Sequence, residues 1–168
     1  MAALHGICKR IIHMATSKQL AKQVHQVYFG GNWTEVNIKN TVSNITWETA
    51  TKKIEGFNTI LALTYHIHYF TKVQLKVLEE GILGGKDSES YDYPNIASQA
   101  EWGGFQSQIW EEAERYIALL SELPNTTLDQ PFVNDKHGNY TENIFGLIEH
   151  IHYHLGQIII INKMITQS

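Results

Sequence analysis

Apolar residues recur at intervals of three and four along most of the chain, and no stretch shows the strict alternation of a half-buried strand. The spacing predicts four long helices. The first runs from about Ser17 to Phe29 and stops at Gly30-Gly31, where glycine ends a helix at little conformational cost. A polar connector follows, with a short helical piece from Glu48 to Lys53 opened by Thr46-Trp47. The second spans roughly Asn58 to Glu80, placing Ile60, Leu63, Ile67, Phe70, Val73 and Leu75 at helical intervals, and Gly81 ends it.

The third opens at Ser98-Gln99-Ala100-Glu101, a capping-box pattern, and continues to Leu123 before Pro124. Gly103-Gly104 is a weak point in its first turns. The fourth runs from Thr141 to about Met164. Helices of this length, joined by connectors too long for tight hairpins, predict an all-α four-helix bundle with long crossover connections.

The 168 residues are enough for one domain with one core, and 43% hydrophobic content argues against disorder. Residues 1–13 read as a peripheral N-terminal extension, because Met14-Ala15-Thr16-Ser17 resembles a natural start; residues 14–168 form the domain. Net charge is −4 and no Lys/Arg run appears, which disfavours nucleic acid as a partner. Neither the N-terminus nor the Ile158–Ile161 tract is a membrane span on this reading. Cys8 is the single cysteine, so no internal disulfide forms, and a cytoplasmic setting is expected.

The fourth helix carries the chemistry. Glu149-His150-Ile151-His152-Tyr153-His154-Leu155-Gly156-Gln157 places three imidazoles within five residues of an apolar segment. At about 100° per residue, His150 and His154 share a face while His152 lies roughly 200° from His150. An i,i+4 histidine pair is a two-point chelate for a borderline metal ion. The third ligand is expected from the second helix. His66 has Ala62, Leu63, Tyr69 and Phe70 as its helical neighbours and points inward; His68, among Thr64, Tyr65, Thr71 and Lys72, is expected to meet solvent.

Single buried histidines are most often hydrogen-bonded core residues, but three on converging faces favour a metal. A three-nitrogen site of this kind leaves coordination positions open, as catalytic centres do. Gln157, one turn beyond His154, is placed to orient a ligand. Leu63, Tyr69, Phe70 and Tyr153 are expected to supply part of an apolar wall, and His152 to pack nearby. His137 reads as a loop residue, and His5, His13 and His25 as solvent-facing. The four tryptophans, Trp33, Trp47, Trp102 and Trp110, read as core or loop anchors. Nucleophile elbows and phosphate-binding glycine loops are absent from the sequence.

Three segments together resemble the DinB/YfiT-like superfamily of metal-binding four-helix bundles. Thr59-Ile60, seven residues before His66, resembles its first histidine motif, and His150-Ile-His-Tyr153-His154-Leu155-Gly156-Gln157-Ile158 resembles its His-x-x-Tyr-His-x-Gly-Gln-Ile signature. Tyr28 to Trp33 and Ile45 to Ala50 resemble the region joining its first helices. The resemblance implies His66, His150 and His154 as ligands of nickel or zinc, with His68 and His152 outside the ligand set. It also implies a homodimer. Characterised members of the family include S-transferases dependent on low-molecular-weight thiols such as bacillithiol or mycothiol, and a mycothiol-dependent isomerase. A thiol transferase acting on small electrophiles is therefore the leading expectation, with Tyr153 and Gln157 supporting the site. A metal-dependent hydrolase and a non-catalytic metal- or ligand-binding stress protein are the alternatives.

Overall fold

A computed structural model describes residues 15–167. Six α-helices and three short 3-10 turns, with no strand, make up the regular structure of the described residues. The proposed extension, residues 1–13 with His5, Cys8 and His13, lies outside the described residues.

The long helices begin and end where the local chemistry dictates. α1 (Ser17–Phe29) opens on a capping box in which the Thr16 side chain accepts from Gln19 N–H while Gln19 accepts from Thr16 N–H. α2 (Ile38–Ser43) and α3 (Trp47–Thr51) are short helices of the connector, capped by Asn37 and Thr46. α4 (Ile60–Glu80) is capped by Thr59 and closes on Gly81 in the left-handed conformation. α5 (Gln99–Glu122) runs without a break through Gly103-Gly104, so the expected weak point does not interrupt it. α6 (Tyr140–Thr166) starts on a capping box between Asn139 and Glu142 and outruns its predicted end by a turn fragment. α2 was not legible from periodicity, because six residues give less than two turns of pattern.

The packing forms a closed ring. α1 and α4 each contact both α5 and α6, whereas α1 and α4 lie across from one another, as do α5 and α6. The connectors at 30–59 and 123–139 therefore cross the ring, and the one at 81–98 joins neighbours. Leu20, Val24 and Tyr28 of α1 enclose the core with Ile60, Leu63 and Ile67 of α4, Trp102, Ile109 and Tyr116 of α5, and Ile151, Leu155 and Ile158 of α6.

Polar groups inside this core are paired across helices, as burial demands. Tyr28 Oη and Thr71 Oγ1 share a 2.6 Å hydrogen bond. Tyr116 donates to Gln74 Oε1 at 2.7 Å, and Gln74 Nε2 donates to the Asn143 carbonyl at 2.8 Å, tying α5 to α4 and α4 to α6. Trp102 donates its indole N–H to the Ile45 carbonyl at 2.8 Å and so fastens the first connector to α5. Trp33 does the opposite of the expected anchoring: it is 97% exposed on the loop after α1.

By length and composition alone, α6 is the one described helix that would suffice to cross a bilayer, a longer stretch than the Ile158–Ile161 tract suggests. Ile144, Leu147, Ile151, Leu155, Ile158 and Ile161 of that helix are buried in the protein core.

Candidate metal centre

His66 sits in the second turn of α4, and His150 and His154 sit one turn apart in the middle of α6. Packing of α4 on α6 brings the three rings face to edge: His66 and His150 centroids are 4.9 Å apart, His66 and His154 4.7 Å, His150 and His154 4.5 Å. One nitrogen from each lies within 4.8 Å of the other two. The closest pair, Nε2 of His66 and Nε2 of His150, is 3.0 Å apart. Two nitrogens each about 2.0–2.1 Å from one ion have a similar separation.

The surroundings of His66 and His150 favour the neutral imidazole. Burial, then the neighbouring His154, lowers the pKa of His66 against the opposing pull of Asp87 and Ser90. Burial, then His154 and His66, pushes His150 down to about 4. Metal ligation needs imidazole lone pairs, and the lowered values of His66 and His150 keep those two rings uncharged at neutral pH.

The outer nitrogens are held unequally. His66 Nδ1 is 2.9 Å from Ser90 Oγ, and His154 Nδ1 donates to Gln157 Oε1 at 2.7 Å. The second contact leaves His154 Nε2 as a lone pair for a ligand. His150 Nδ1 is buried and has no partner. Three imidazoles, two of them tied through the far nitrogen, fit a borderline divalent ion.

Phe70 packs edge-on against both His66 and His150, with centroids 5.1 and 4.9 Å away. Tyr91 stacks on His66 at 4.5 Å with 21° between the planes. His66 and His154 are only 6% and 8% exposed, while His150 opens on a cavity of about 290 Å³. Phe70, Gln74, His137, Asn143 and Leu147 line that cavity. A second cavity of about 240 Å³ shares Phe70, Gln74, His137 and Asn143 and reaches Gly84 to Asp87, so both long loops border the approach.

The structure brings His66, His150 and His154 together and leaves His152 outside, half-buried on another side of α6. His25 is exposed beside Phe29, as expected. His68 corrects the reading from sequence. It is 3% exposed, and its Nε2 lies 2.7 Å from Glu112 of α5. Its polar helical neighbours signal solvent, but α5 covers that side and supplies a carboxylate. Of the expected apolar wall, Phe70 lies on the rings. Tyr153 is 65% exposed with its ring 4.8 Å from His154, and Leu63 lines a separate cavity with Gln157. Tyr69 lines the second of the two cavities, and its hydroxyl accepts from Lys86 N–H at 2.8 Å and donates to Glu89 at 3.0 Å.

Ser90 and Tyr91 are the site neighbours that sequence reasoning missed. They lie on the 3-10 turn Asp87–Tyr91, which packs on α4, in a loop with no periodicity to read. Comparison with protein-family models, curated proteins and solved structures found no match.

Proposed function

We propose that the chain is a DinB/YfiT-like four-helix bundle that binds nickel or zinc through His66, His150 and His154 and transfers a low-molecular-weight thiol to a small electrophile. The observation carrying this reading is the gathering of three imidazoles from two helices, two of them oriented through their far nitrogens. The closed ring of four long helices supports the bundle assignment. The helix-six signature from His150 to Ile158 supports the family.

A divalent ion held by neutral ligands keeps its charge and lowers the pKa of a thiol or water beside it. The chain's own residues supply the rest. Phe70 and Leu147 shed water from the approach to His150, and the loop bearing His137 borders the space for a small molecule. Gln157 holds His154 by its Nδ1–H. The same resemblance carries a homodimer, for which the exposed Phe145, Tyr153 and Ile160 on α6 supply apolar surface.

The test is conjugation of monochlorobimane by tag-free, metal-loaded protein with bacillithiol or mycothiol. Conjugation should require both metal and thiol and should be lost in His154→Ala. Turnover that proceeds without thiol, or that survives His154→Ala, would overturn the reading.

A further inference from the structure

The proton positions on His66 and His150 follow from one hydroxyl. Ser90 is fully buried, and its Oγ donates to the Asp87 carbonyl at 2.6 Å. A serine hydroxyl has one hydrogen. With that hydrogen committed, Ser90 Oγ is an acceptor towards His66, so the 2.9 Å contact is a hydrogen bond donated by His66 Nδ1–H. His66 Nε2 is then the lone pair of a neutral ring. The 3.0 Å contact to His150 Nε2 must in turn be donated by His150. That leaves His150 Nδ1 as the unprotonated nitrogen, and it is the buried ring atom without a partner.

We propose that Ser90 is a positioning residue that fixes the tautomer of His66 and, through it, the direction of the His150–His66 hydrogen bond. This rests on the metal-binding reading for its consequence, since it presents the His66 Nε2 lone pair to the centre. Gln157 does the same for His154 from the other side of the cluster. His150 differs from both. Its Nε2 carries the proton in the metal-free protein, and ligation through that atom requires the proton to move to the vacant Nδ1. The ring stays neutral in this exchange: the Nε2–H bond breaks, an Nδ1–H bond forms, and the charge of the cluster is unchanged.

The turn is built to hold Ser90 there. Tyr69 of α4 bonds Lys86 and Glu89, which bracket the start of the turn, and Tyr91 lies flat on His66. Gly85 has φ +95°, and a Cβ there would run into the Tyr69 hydroxyl and Val73, so this glycine is required by both conformation and space.

Long-range ¹H–¹⁵N correlation spectra of the metal-free, full-length protein at pH 7.5 read each tautomer directly. Wild type should show His66 protonated at Nδ1 and His150 at Nε2. Ser90→Ala should erase the fixed pattern of His66, Ser90→Thr should restore it, and zinc affinity should fall about 10–100-fold in the alanine variant and recover in the threonine variant. An unprotonated His66 Nδ1 in wild type, or a pattern indifferent to Ser90→Ala, would overturn the proposal. If the tautomers respond as stated but neither protein binds zinc, the positioning role stands and the metal reading falls.

Discussion

His150 carries the largest burden of the cluster, because it is the half-exposed member and the one lacking a partner at Nδ1. Burial and then the adjoining imidazoles place its pKa at about 4, below the ordinary 6.5. Folding thus favours its neutral form. The stabilisation is fully present above about pH 6.5 and is lost as pH falls through 4. The melting temperature of the metal-free protein should decline across that interval, and His150→Gln should flatten the decline; an equally steep profile in the variant would contradict this origin. At the same scale, Gln157→Leu removes the acceptor of His154 Nδ1–H and should weaken zinc binding about 10–100-fold in a chelator competition. His152→Ala, outside the cluster, should leave that affinity unchanged. The residue-scale part of the site was legible where geometry is local. The i,i+4 pair and the Gln157 spacing follow from helix rotation, and His66 from its apolar flank. Ser90 was illegible, since its role depends on where an irregular loop folds back.

Helix faces explain the other miss. His68 looked solvent-facing because its own helix surrounds it with Thr64, Thr71 and Lys72, but burial is decided by what α5 lays over that face. Glu112 is the answering residue. Burial alone would raise its carboxyl, yet hydrogen bonds from His68 and Gln108 and the charges of His68 and Lys72 outweigh that and hold it at about 2. Glu112→Ala would strand a buried imidazole and should cost about 1–3 kcal/mol in urea unfolding, without touching zinc affinity. The helix boundaries were legible from caps and glycines to within about two residues. Thr59 and Asn139 each satisfy an amide of the first turn. Gly103-Gly104 misled, because helix propensity is a weak prior and Trp102 and Ile109 anchor α5 on either side of the pair.

Across the whole molecule, periodicity gave the number of long helices, and the lengths of the connectors hinted that they cross the packing. Which helices face each other came only from tertiary structure, and that arrangement carries His66 to within reach of two residues 84 and 88 positions later in the chain. Trp102 joins the levels: it fills the core and ties the first connector to α5, so Trp102→Ala should cost about 3–5 kcal/mol and loosen the Ile38–Thr51 segment to hydrogen exchange. Metal analysis of protein purified without a histidine tag should find about one nickel or zinc per chain in wild type, and His66→Ala, at the ligand from α4, should lose it. Trace metal in wild type, or undiminished metal in the variant, would contradict a centre built from these three histidines.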